Sequence, residues 1–395
     1  MGSSGSASLA GGGSGGTGGH DEDADLENDW PDPPAAKGSE AVAYQIDSLH
    51  DGSQPGDKLS LPLKRRWVHT FQSPEISYPL VAGGRIFVTV GSLKAYGSDL
   101  YALDEETGSI AWGPTSLGGT HYWSGATYSL GRVFTINYDG QMQAFDAQSG
   151  MLLWTQQLPG QYSFSSPPTA FGRRIFVGGA GSGGTVYAVA GNSGRVLWTG
   201  QVENGDNSSP AVSDSGVIVS YACTQAYSFA PTTGSLLWHY SGSCEGGGGR
   251  TVARFGSVLY ARDWAEGNLI LDATSGKLLG TFSASPIPAG AKSKVFIVNA
   301  GKLIATNSAQ PAVLWTATGV EATNAPLVVG DQVVVGGSRG ELVVFSAESG
   351  QELSRDMLDA PAPAPDEMNV VGPLTGMAAA NNHLYVPAGS TLYAY

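Results

Sequence analysis

Six acids near the start of the chain are spaced like the oxygen donors of a calcium loop. Asp21, Asp23, Asp25, Glu27, Asp29 and Asp32 fall at positions 1, 3, 5, 7, 9 and 12 of such a loop. Position 6, which needs glycine for its sharp turn, is Leu26, and no helical pattern flanks the block. The alternative is a solvated run of like charge, and no metal site is assigned. Farther along, Asp139, Asp206, Glu245 and Asp263 could supply paired carboxylates, with His121 as proton carrier, for a lyase or hydrolase acting on a glycan. The six histidines show no metal-ligand spacing, and no Gly-x-Ser-x-Gly elbow occurs. The Gly246 to Gly249 run has neither a following helix nor a Lys-Ser/Thr pair, so it reads as a loop rather than a phosphate cradle.

The elements that would position these groups follow from a repeated phrase. It reads ALDEETGSIAW at Ala102 to Trp112, AFDAQSGMLLW at Ala144 to Trp154, AVAGNSGRVLW at Ala188 to Trp198 and SFAPTTGSLLW at Ser228 to Trp238. Three weaker copies follow. In them Gly280 and Ser354 stand in the Trp position, and Pro311 stands in the Gly position ahead of Trp315. The turn positions 108, 150, 194, 234, 276, 311 and 350 recur at about 40 residues, a period of propellers, solenoids or arrays.

Between phrases lie short runs such as RIFVTV at Arg85 to Val90 and RVFTIN at Arg132 to Asn137. They are β-branched, aromatic and bounded by Gly-rich turns, so they read as strands, four to a repeat. The expected fold is all-β: an eight-bladed β-propeller of four-stranded antiparallel blades. The chain stops at a third strand, Thr391 to Tyr395, while Lys64 to Phe71 reads as a fourth strand without predecessors. The last blade is therefore expected to be closed by strands from both ends, which removes aggregation-prone edges.

The Ala-x-Asp-x-x-Thr-Gly-x-x-x-Trp phrase resembles the repeat of the pyrroloquinoline-quinone-like propellers. That family includes quinoprotein dehydrogenases and the eight-bladed outer-membrane assembly lipoprotein. The resemblance spans residues 60 to 395 and implies that Trp67, Trp112, Trp154, Trp198, Trp238 and Trp315 dock each blade on its neighbour. The quinoprotein enzymes seat their quinone above adjacent cysteines, together with calcium ligands and a catalytic Asp. This chain has no adjacent cysteines, so no quinone, no other cofactor and no catalytic residue is assigned. Resemblance to the assembly lipoprotein favours a protein partner, although no motif here matches its partner-binding loops.

In this frame the loops between strands two and three, and those between blades, open on one face of the ring. They carry His121, Tyr122, Trp123, Tyr138, Asp139, Gln161, Tyr162, Phe164, Asn204, Asp206, Asn207, Glu245, Arg250, Arg262, Asp263 and Trp264. Blades one to five thus bring aromatic, amide and charged groups to one channel mouth, and blades six to eight offer less. The mixture suits a protein or a glycan; the other reading is a wet channel whose residues bond one another. Cys223 and Cys244 lie in connections on that face and could form a disulfide, or remain two unpaired small core residues.

Composition sets further bounds. Residues 1–40 are Gly/Ser-rich, then acidic, then Pro-rich, and read as a flexible tether, with residues 41–395 forming the propeller. Eight acids and one lysine give the tether a net charge of −7 out of −14 for the chain. Nucleic acid and anionic membrane are therefore not expected as partners. No apolar run is long enough to span a bilayer. The expectation is a monomeric, non-catalytic scaffold outside the cytoplasm, secreted, periplasmic or envelope-anchored, because SLAG before a Gly/Ser run resembles the surroundings of a lipoprotein cleavage site without its cysteine.

Overall fold

The computed structural model describes residues 38–395 apart from 204, 206–207, 222–224, 243–248, 263–267, 292 and 309–311. Eight four-stranded antiparallel sheets form a closed ring, and no helix occurs among the described residues. Blade 2 shows the plan. Its strands Ser124–Ser129, Arg132–Asn137, Gln141–Asp146 and Leu152–Gln157 run in chain order from axis to rim. Strands nearest the axis are short and small where the ring crowds them, as in Ala289–Ala291 of blade 6 and Ala378–Ala380 of blade 8. The core lies between blades, as when Val328, Val333 and Val335 of blade 7 pack with Phe296 and Val298 of blade 6.

Blade 8 is the closure read from the sequence. Trp67–Thr70 pairs antiparallel with Thr391–Ala394, placing Trp67 opposite Ala394 and Thr70 opposite Thr391. Both chain segments are needed to complete one sheet.

The repeated phrase has a geometric meaning. In six blades the tryptophan lies flat on the turn glycine of the next blade. A Cβ added to Gly150 would sit 2.6 Å from the Trp112 ring, one on Gly234 2.6 Å from Trp198, and one on Gly276 2.5 Å from Trp238. These glycines also have positive φ, near 70°, which L-residues rarely adopt. Each indole N–H donates to a carbonyl of the same turn, Trp112 to Ala147 and Trp154 to Gly191, both at 3.0 Å. The exceptions are reciprocal. Blade 5 has Gly280 instead of tryptophan, and the blade 6 turn it would meet has Pro311 instead of glycine. Blade 7 has Ser354, and the blade 8 sheet it faces has no such turn, because its outer strand comes from the other end of the chain.

The sequence suggests no role for residues 41–59 beyond membership of the ring, yet they form a strap that visits all eight blades from inside. Ala41 bridges Val81 of blade 1. The Val42 carbonyl accepts Tyr128 N–H of blade 2 at 2.8 Å, and His50 meets Thr169 of blade 3 at 3.2 Å. The Ser48, Leu49 and Asp51 carbonyls accept from Val212, Arg254 and Gly290 of blades 4, 5 and 6. Ser53–Gln54 then adds a parallel strand to Leu327–Val329 of blade 7, and the Asp57 carboxylate accepts Asn382 N–H of blade 8 at 2.9 Å. Eight inner strands expose unpaired backbone groups to the axis, and the strap satisfies a share of them in blades 1, 2, 4, 5, 6 and 7.

Candidate functional site: the covered channel mouth

The strap enters the channel from the end that carries the Thr-Gly turns. Its Tyr44 and His50 are fully buried. His50 links strap and ring, with Nδ1 2.6 Å from the Tyr44 carbonyl and Nε2 2.9 Å from the Pro210 carbonyl. Burial pulls its imidazole below the usual range against the opposing effect of those carbonyls and Asp47. Burial raises the Asp47 carboxyl, and it pushes Asp51 up to about 8, with Asp47 adding to the shift.

The opposite end, where the sequence places a mouth, is covered by the connection from blade 7 to blade 8. Residues 358–377 form the longest link between strands. They leave blade 7, reach blade 5 and return past blade 1. Glu367 forms a buried ion pair with Arg262 and accepts Thr251 N–H at 2.5 Å. Leu374 accepts Tyr78 N–H at 2.9 Å, and Gly376 packs on the Tyr44 ring. Cover and strap therefore meet inside the ring. Burial, with the Glu367 charge adding to it, holds the Tyr44 hydroxyl well above its usual range.

These contacts redistribute the residues singled out from the sequence. Arg262 is buried and held by Glu367, and Trp123 is buried in the core, so neither faces an incoming ligand. Trp123 misleads because it ends a loop whose chain turns inward at Ser124. Arg250 is half-buried. Asn204, Asp206, Asn207, Glu245, Asp263, Trp264, Cys223 and Cys244 lie outside the described residues, as does the acidic block. Gln161 and Phe164 are buried, with the Gln161 amide donating to Thr185 and Ser182.

A coherent rim remains over blades 1 to 3. The His121 and Tyr138 rings lie 3.9 Å apart, and Thr120 ties His121 to Asp139 through a 3.1 Å contact to Nδ1 and a 2.6 Å bond to the carboxylate. Tyr138 accepts from Ser163 at 2.9 Å. Tyr122 lies 5.6 Å from Tyr96, and the largely exposed Tyr162 donates to the Gly181 carbonyl at 2.6 Å. Asp139 thus orients the loop. Among the described residues no group of three or more His, Cys, Asp or Glu is arranged to hold a metal ion.

The sequence reading also missed Glu75, Leu93, Tyr96, Val371 and Thr375, which line or flank two joined cavities between the cover and blades 8 and 1. A signal was present, since the Pro-Ala run from Ala360 to Pro365 extends one interval beyond what a blade-to-blade link requires.

The family described as outer membrane protein assembly factor BamB matches residues 96–263 and 265–395. The outer membrane protein assembly factor BamB of Yersinia pestis is 24% identical over 357 residues, covering 86% of this chain and 76% of that protein. A polyvinylalcohol dehydrogenase of Sphingopyxis sp. (strain 113P3) is 28% identical over 134 residues, 28% of this chain and only 20% of that enzyme's length. The crystal structure of BamB from Moraxella catarrhalis superposes with a TM-score of 0.65 at 19% identity, covering 84% of this chain and 99% of that one, a likeness of fold. With the phrase, the ring and the matched span in agreement, the chain belongs to the PQQ-like repeat family described as outer membrane protein assembly factor BamB.

Proposed function

We propose that this protein is a non-catalytic scaffold of the cell envelope, outside the cytoplasm, that holds a protein partner on the covered mouth face. The observation that carries the reading is the filling of the channel from both ends, which leaves the rim rather than an axial pocket for recognition. That rim exposes Leu93, Tyr96, Tyr162 and Val371, and aromatic and aliphatic groups on a rigid frame are what protein interfaces use as anchors. The family's description as an assembly factor supports a protein partner over a glycan.

Photo-crosslinking tests this. A benzophenone side chain placed at Tyr96 or Tyr162, in cells of the native host, is expected to give discrete protein adducts. The same group at Leu236, on the opposite rim, should give none. Equal labelling from both ends, or a glycan-array signal that vanishes in Tyr162→Ala without any protein adduct, would overturn the proposal.

A further inference from the structure

The two cavities beneath the cover share four residues, Pro74, Glu75, Gly372 and Pro373, and so form one groove with two chambers. The larger, about 310 Å³, is walled by Leu93, Tyr122 and Val371, of which Leu93 and Val371 are largely exposed. The smaller, about 220 Å³, is walled by Pro361, Pro363 and Asp366. Glu75 stands at the junction, its carboxylate against Gly372 so closely that a Cβ there would lie 1.9 Å from Oε2.

The formal charge lining the groove is of one sign. Its prolines carry no N–H, and its charged groups are the Glu75 and Asp366 carboxylates, neither of which is paired with a cation among the described residues. The Asn369 side-chain oxygen already accepts Val371 N–H at 2.8 Å. Thr375 supplies a second and independent sign of an absent ligand. It lines the smaller chamber, is only 8% exposed, and its hydroxyl has no hydrogen-bond partner. Buried hydroxyls are rarely left in that state.

We infer that this groove binds an extended peptide segment carrying a basic side chain beside an aromatic or aliphatic one. The inference rests on the protein-scaffold reading of the mouth face. The apolar side chain enters the chamber of Leu93, Tyr122 and Val371. The ammonium or guanidinium lies between Glu75 and Asp366, and a peptide group meets the Thr375 hydroxyl. Two chambers joined at a carboxylate fit successive side chains of one chain better than one compact molecule, and a net charge of −14 attracts a basic segment before contact.

The test uses two fluorescent ten-residue peptides on the whole protein, one repeating Lys-Phe-Ser and its twin repeating Glu-Phe-Ser, read by anisotropy. The lysine peptide is expected to bind at least tenfold more tightly, and to weaken with added salt. Glu75→Gln and Asp366→Asn should each cut its affinity several-fold while leaving thermal unfolding unchanged, and Val371→Asp should weaken it through the apolar chamber. Equal binding of the two peptides, or unchanged affinity in Glu75→Gln, would overturn the inference. If mouth-face crosslinks at Tyr162 persist under that result, the scaffold reading stands and only the groove assignment falls.

Discussion

Asp51 and His50 are neighbours on the strap with opposite responses to protons. Asp51 is burdened by burial and by Asp47, and favours its neutral form up to about pH 8. Its contribution to stability is complete below the usual carboxylate range and declines as pH rises towards 8. His50 is buried with a lowered pKa, so its contribution is complete above the usual imidazole range and declines as pH falls below it. The groups facing this pair are Asp47, Glu367, and the Tyr44 and Pro210 carbonyls. Between pH 6.5 and 7.5 Asp51 should therefore dominate, and its effect levels off above 8. Urea unfolding is expected to show stability falling across that window, with a slope approaching about 1.4 kcal/mol per pH unit. Asp51→Asn should flatten the slope, and a slope of unchanged steepness in that variant would refute the assignment.

At the level of elements, the joint between blades is an indole laid on a glycine. Gly234→Ala combines a disfavoured φ of +69° with a methyl 2.6 Å from the Trp198 ring, and should destabilise the fold by about 2–3 kcal/mol. Trp198→Phe keeps the stacking but loses the 3.0 Å bond to the Pro231 carbonyl, a loss of about 1 kcal/mol. Denaturant titration of both variants checks the order. This joint was legible in the sequence because its partners sit at a fixed offset within a phrase that recurs. His121, Tyr138 and Asp139 were legible together for a related reason, since loops of one blade abut loops of the next. Strap and cover were not. Their decisive contacts join His50 to Pro210 and Arg262 to Glu367, separations of 160 and 105 residues within irregular backbone that has no periodicity to follow. Trp123 was misplaced because composition reports a residue's type, whereas burial depends on where the chain turns.

Taken whole, the molecule is a ring fastened twice, by a shared outer sheet at the rim and by a strap along the axis. Tyr44 and Ile46 are buried, and strap carbonyls accept from six blades by backbone bonds. At roughly 1.5–3 kcal/mol for each large side chain and about 1 for each hydrogen bond, losing the strap should cost several kcal/mol. A chain beginning at Ser60 is expected to melt roughly 10 °C below one beginning at Gly38. Equal melting temperatures would show that the strap is an ornament of the channel.

The pairing of Trp67–Thr70 with Thr391–Ala394 bears on how the protein is made. The second of these segments leaves the ribosome only after the seven intervening blades, which until then have no way to join head to tail. Until then the nascent polypeptide is an arc with two raw borders, and it depends on whatever shields it during synthesis. Loss of Thr391–Ala394 alone would leave every molecule in that unsealed condition.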